Sequence, residues 1–155
     1  MKPHRAVMPT RRQMLAASIG LGAWAIVVRP VRADSIELDA AVRAFAAGAT
    51  VRVGKVKLDI AQLVENGNTV PITVSVDSPV TPEAYVKTIA VFNERNPQRE
   101  VAIFQLGPRA GRATVSTRIR LATSQRLVAM ARLSDGSVWS HAVDVIVTLA
   151  GCVEG

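Results

Sequence analysis

Between residues 51 and 149 the apolar residues recur at every second position, in short runs separated by turn-forming residues. Val51, Val53, Val56, Leu58 and Ile60 predict one or two strands around Gly54, with Lys55, Lys57 and Asp59 facing the other way in the second. Asn66-Gly67-Asn68 predicts a turn, after which residues 69–77 alternate with Val70, Ile72, Val74 and Val76 on one face. Pro71 has no N–H to give a ladder, which places it at a sheet edge or a strand entrance. Residues 78–83 hold two prolines and predict a loop. Four further β runs follow at 85–93, 100–106, 113–122 and 125–133, the first three separated by Asn96-Pro97, Gly107-Pro108 and Gly111. Ser134-Asp135-Gly136-Ser137 predicts a two-residue hairpin loop, because Asp-Gly accepts the left-handed conformation. The last strand, 138–149, ends in the almost unbroken apolar run 143–149.

Ahead of the strands the period is helical. Leu38, Ala41, Val42 and Phe45 make one stripe of a short helix over 36–46, with Asp34 or Ser35 as cap, Glu37 in the first turn and Gly48 as terminator. One short helix followed by seven or so closely spaced strands predicts an all-β fold: an immunoglobulin-like antiparallel β-sandwich with a short N-terminal helix and a mobile C-terminal tail.

Composition and charge change the picture in one respect. The chain has 155 residues, 49% apolar, enough for the core of one domain, and a net charge of +7. That charge is local: the first 33 residues hold six of the 19 basic residues and no acidic one, which leaves 13 against 12 in the remainder. A body so near neutrality, with 4% aromatic residues, has neither the electrostatic footprint nor the stacking platform of a nucleic-acid binder. The basic segment reads instead as an export signal. Arg11 and Arg12 precede a mildly apolar run, 14–28, that contains Gly20 and Gly22 and falls short of the ~20 residues a spanning helix needs. Val31-Arg32-Ala33 supplies a cleavage site. The expected organisation is a twin-arginine signal over 1–33, a sandwich over 34–149 and a tail over 150–155, with the periplasm as destination.

Chemistry concentrates in the tail, Ala150-Gly151-Cys152-Val153-Glu154-Gly155, which carries the chain's one cysteine. A single cysteine excludes an internal disulfide, and in an oxidising compartment an unpaired thiol is reactive or intermolecular. A residue just past a strand end is poorly placed for burial, and three or four residues of chain reach roughly 10 to 14 Å. Near the ordinary pKa of about 8.5 a thiol is only a few per cent thiolate at neutral pH, and neither Glu154 nor any basic neighbour in the tail promotes ionisation. Such a thiol suits a protein whose sulfur is worked on by others. His141 and Asp144 stand three apart in a strand, on opposite faces, and make no relay. One histidine and one cysteine in the mature chain cannot close a zinc site. Arg109 and Arg112 lie in a glycine-bearing loop that could hold an oxyanion, although a solvated turn is the commoner meaning of such a stretch.

The Arg11-Arg12 signal, Asn66-Gly67-Asn68-Thr69-Val70-Pro71, Asp77-Ser78-Pro79, the Asn93 to Pro97 turn, Ser134-Asp135-Gly136 and the ending Val145-Ile146-Val147-Thr148-Leu149-Ala150-Gly151-Cys152 together resemble the SoxY family, the sulfur-carrier subunits of bacterial thiosulfate oxidation. The resemblance covers essentially the mature chain. It implies a non-catalytic carrier that pairs with a SoxZ subunit and holds sulfur intermediates covalently on Cys152, without other cofactor or metal. It implies transient partners as well: the c-type cytochrome SoxAX, the hydrolase SoxB and the sulfane dehydrogenase SoxCD. Gly151, Val153, Glu154 and Gly155 would form the carrier arm. The family's usual Gly-Gly-Cys-Gly-Gly ending is replaced here by a bulkier and more negative one. Read from the residues alone, a periplasmic adaptor joined through an intermolecular disulfide at Cys152 is the alternative.

Overall fold

Alternation along the chain becomes two sheets because each strand has one face to bury. The computed structural model describes the backbone of residues 31–149 and the side chains of 34–149. Arg11, Arg12 and the rest of 1–30 lie outside the described residues, as do Gly151, Cys152, Val153, Glu154 and Gly155. Helix α1 (Val31–Ala46) is followed by β1 (Val51–Val53), β2 (Val56–Asp59), β3 (Leu63–Asn66), β4 (Val70–Val76), β5 (Val86–Asn93), β6 (Glu100–Gln105), β7 (Thr114–Ile119), β8 (Gln125–Leu133) and β9 (Val138–Leu149). One sheet has the order β1-β9-β8-β5-β6 with β3 also paired to β9; the other is β2-β4-β7. This is an immunoglobulin-like sandwich.

Between the sheets lie Val56, Leu58, Val70, Ile72, Val74 and Ile119 from one side and Ile89, Val91, Leu127, Ala129, Ala131 and Val145 from the other. The strands β5 and β8 are buried on both faces. Their opposite face, carrying Ala90, Phe92 and Met130, packs against Leu38, Ala41, Val42 and Phe45 of the helix, so the molecule has three layers. The Phe45 and Phe92 rings meet edge-on, 5.8 Å apart at 68°, an arrangement their quadrupoles favour. Arg132 stacks over Phe45 at 5.0 Å and donates to its carbonyl oxygen, closing the end of the helix.

Five expectations are corrected. The helix starts at Val31, not near 36; in the sequence Pro30 stands immediately before it, where a preset φ and a missing N–H suit a helix start. Asp34 and Ser35 therefore lie inside the helix and do not cap it. The sheets are not wholly antiparallel, since β1 and β3 both pair β9 in parallel. Strand β3 was not expected at all: two apolar residues in four give no usable period. Lastly, the β8–β9 loop has three residues. Gly136 N–H donates to the Leu133 carbonyl and Leu133 N–H to that of Ser137, and of the loop residues only Gly136 has a positive φ, 83°. That is the turn-plus-bulge form of hairpin. Asp135 accepts from the amide and hydroxyl of Ser137, which holds its carboxyl below the usual range.

The remaining strands keep the expected pattern. β2 buries Val56 and Leu58 and exposes Lys57 and Asp59. Pro71 sits at the entrance of β4, before β2 begins to pair with it at Thr73. At the end of α1, Ala47 and Gly48 both turn left-handed, at φ 50° and 86°, which stops the helix as expected of Gly48.

Candidate functional site

The thiol of Cys152 lies outside the described residues, as do its neighbours Gly151, Val153, Glu154 and Gly155; the site the structure shows is the root from which that segment leaves. β9 is held along one edge as far as Val147 and along the other up to its last residue. On one edge Val147 N–H donates to Ser124 Oγ at 2.9 Å. On the other, β3 runs parallel with Leu63 opposite Ile146 and Asn66 opposite Leu149, and Ile146 N–H reaches the Gln62 carbonyl at 2.7 Å. Thr148 Oγ1 donates to the Glu65 carbonyl at 3.1 Å. Gly67 N–H donates to the Leu149 carbonyl at 2.9 Å, while the Gly67 carbonyl accepts from Leu121 N–H at 2.8 Å. The Asn66-Gly67-Asn68 turn, tightened by Asn66 Oδ1 accepting from Asn68 N–H, thus ties β9 to the β7–β8 connection. Two residues, Ala150 and Gly151, then separate Leu149 from the sulfur-bearing position.

Around this root a polar web sets the neighbouring loops. Asn96 Oδ1 accepts from Ala122 N–H at 3.0 Å and from Gln125 Nε2 at 2.8 Å, and Asn96 Nδ2 donates to the Arg120 carbonyl at 2.7 Å. Asn93 Nδ2 donates to the Gln98 carbonyl and Asn93 Oδ1 accepts from Asn96 N–H. Asn93 and Gln125 are buried, and each is satisfied, as a buried amide must be. Arg99 is the keystone: its guanidinium donates to the carbonyls of Glu94 and Asn96, to Asp34 at 3.1 Å and to Glu37. One side chain thereby joins the start of the helix to the loop beside the root. Composition and period contain no trace of this web, because its members are 29 or more residues apart in the Asn96–Gln125 and Arg99–helix contacts; the polar Asn93-x-x-Asn96-x-x-Arg99 spacing was the only available signal.

The other expected groups fall elsewhere. His141 Nδ1 accepts from Leu58 N–H at 3.0 Å, bridging β9 to the free edge of β2. Asp144 faces outward and pairs with Arg126 at 2.8 Å, so the two groups form no relay, as expected. Arg109 and Arg112 lie in an exposed loop at the opposite end of the sandwich, where β6 ends and β7 begins. At about 3.3 Å per residue along β9 that is some 35 Å from the root. Among the described residues no group of His, Asp or Glu is arranged to hold a metal ion, and no helix is long and apolar enough to cross a membrane.

Comparison with solved structures finds the same architecture in the sulfur carrier protein SoxY from Chlorobium limicola f thiosulfatophilum, with a TM-score of 0.62 and 27% identity over 74% of this chain and 99% of that one. The superoxide reductase (neelaredoxin) of Ignicoccus hospitalis, TM-score 0.54, is 17% identical over 61% of this chain and 80% of its own. A putative superoxide reductase of Thermotoga maritima, TM-score 0.52, is 22% identical over 66% and 89%. At such identities these two share the fold alone. No curated protein matches the chain. The model of the sulfur oxidation protein SoxY family matches residues 41–152, from the helix through the sandwich to the cysteine, and the chain accordingly belongs to the SoxY family.

Proposed function

We propose that this protein is a periplasmic sulfur carrier that bonds thiosulfate-derived sulfur to Cys152 and offers it to the enzymes of the Sox system. The observation that carries the reading is the span of the family match, which runs through residue 152 and so includes the thiol. Family membership and the likeness to a SoxY sulfur carrier support carriage; the root geometry supports presentation, since β9 is clamped on one edge to Val147 and on the other to Leu149, and the three Cα steps to Cys152 span about 11 Å at most.

Loading joins the thiol to the terminal sulfur of thiosulfate. The S–H bond breaks, an S–S bond forms, one proton leaves, and two electrons pass to a c-type cytochrome, leaving Cys–S–S–SO3⁻. Hydrolysis of the S–SO3 bond by one water then releases sulfate and two protons and leaves a persulfide, Cys–S–S⁻. A sulfane dehydrogenase would oxidise that remaining sulfur. This chain contributes a nucleophile and a reach; the oxidant and the catalysts belong to its partners, the SoxAX, SoxB and SoxCD proteins, and a SoxZ-like subunit accompanies it as the companion. No cofactor of its own is required.

Incubation with thiosulfate and the oxidising cytochrome should raise the intact mass by about 112 Da, the two sulfurs and three oxygens of one bound thiosulfate.

 The bonded form keeps both thiosulfate sulfurs and all three oxygens, and the thiol hydrogen is the only atom lost. Cys152→Ser should show no such increase. A covalent dimer dissolved by reductant, with no thiosulfate-dependent adduct, would overturn the reading in favour of a disulfide-linked adaptor. Export rests on Arg11 and Arg12: replacing both with lysine should leave the precursor in the cytoplasm on fractionation, and unchanged delivery to the periplasm would refute a twin-arginine route.

A further inference from the structure

Strand β9 departs from its own burial rule near its end. Up to Val145 its apolar residues face the core and its outward positions, Ala142 and Asp144, are small or charged. Beyond that point Ile146 is 60% exposed and Leu149 is 66% exposed, and Leu63, the register partner of Ile146 on β3, is 61% exposed. Leu63 and Ile146 stand side by side on the face turned away from the core, and Leu149 points to the other side at the strand tip, so both faces of the tip are apolar. The other large exposed apolar side chains, Ile36, Val53 and Ile103, lie on three different elements and gather around no common feature.

We propose that Leu63, Ile146 and Leu149 form a docking collar for the enzymes that act on Cys152, which must carry an apolar rim around their clefts. The inference rests on sulfur carriage at Cys152, and the length of chain past Leu149 is what selects the occupant. Three Cα steps carry the backbone of Cys152 no farther than about 11 Å from Leu149, and the sulfur only one side-chain length beyond that. A catalytic group recessed in a cleft can meet the sulfur only if the mouth of that cleft closes on the strand tip, so contact with the collar is imposed by the reach. The surroundings fit an interface made and broken repeatedly. The apolar centre is small, and it is flanked by polar groups, Glu65 beside Thr148 on one side and the Arg126–Asp144 pair on the other. An apolar centre within a polar rim is the usual anatomy of a protein contact, and a small one suits a transient encounter.

The test uses the carrier together with its companion subunit. Leu63→Thr with Ile146→Thr keeps β-branched side chains in both strands; Leu149→Thr, at the last strand position, is the second variant. Three quantities are read: kcat/KM for thiosulfate loading by the oxidising cytochrome, the alkylation rate of Cys152 by iodoacetamide, and co-purification with the companion subunit. The expected result is a tenfold or greater fall in kcat/KM for both variants, with alkylation and co-purification unchanged, because a small reagent needs no docking. Unchanged kcat/KM overturns the collar. Loss of co-purification also overturns it, since the patch would then belong to the permanent subunit contact. Should the unsubstituted protein be alkylated at Cys152 yet take no adduct from thiosulfate, carriage itself fails, and the collar with it.

Discussion

Asp144 and Arg126 face each other directly across β8 and β9, and two hydrogen bonds join them, at 2.8 and 3.1 Å. The hydrogen bond and charge of Arg126 hold the Asp144 carboxyl below its ordinary value, and the same contacts raise Arg126. A carboxylate with a depressed folded pKa adds stability above its unfolded value and loses it as pH falls through the folded one. The pair's contribution is therefore complete at neutral pH, begins to fall below about pH 3.8 and is lost as pH drops through the lower folded value. Both side chains are more than half exposed, so solvent screening limits the coupling to about 0.5 kcal/mol. A double-mutant cycle with Asp144→Asn and Arg126→Gln should return about that value at pH 7 and a smaller one at pH 2; an equal coupling at both would refute the assignment. Asp144 was legible from the sequence as a strand residue on the face opposite His141, with which it forms no relay. The partner of His141 was not: Leu58 N–H lies 83 residues away, and the bond exists because a half-buried imidazole happens to face the open edge of the second sheet.

At the scale of elements, Arg99 decides how the helix meets the sandwich. The apolar stripe of Leu38, Ala41, Val42 and Phe45 explains which face is buried, but a stripe can slide along a flat sheet. Arg99 fixes its position by binding Asp34 and Glu37 at one end, and Arg132 fixes the other at Phe45. Charge-assisted hydrogen bonds of this kind contribute about 1.5 to 3 kcal/mol. Arg99→Ala should therefore lower unfolding free energy by about 2 kcal/mol, and hydrogen exchange should quicken first in residues 34–46 and in the 93–99 loop. Uniform quickening over the whole sandwich would contradict the clamp. The strands β4, β6, β7 and β9 were legible because alternation survives wherever one face is buried and the other solvated, and β5 and β8, buried on both faces, as short apolar runs bounded by turn signals. The strand β3 was not, because its pairing partner supplies the order that its own four residues lack.

Across the whole molecule, the helix and the cysteine-bearing segment are organised from one end of the sandwich, where Arg99, Asn96, Gln125, Gly67 and the tip of β9 meet. This end gathers the Asn66-Gly67-Asn68 turn, the Asn93 to Pro97 turn and the apolar strand ending that carried the resemblance to SoxY proteins. The residues beyond Leu149 are thereby given a fixed origin, while the basic loop at Arg109 and Arg112 is left at the far end. By itself the sequence determined the sandwich class, the helix, nearly all the strands and the one thiol, because alternation, period and residue chemistry are local properties of the chain. Only the tertiary structure decided the parallel pairing of β1 and β3 with β9, the web that roots the strand tip and the exposed apolar pair Leu63 and Ile146, because each depends on which distant segments meet, and no local pattern encodes a partner.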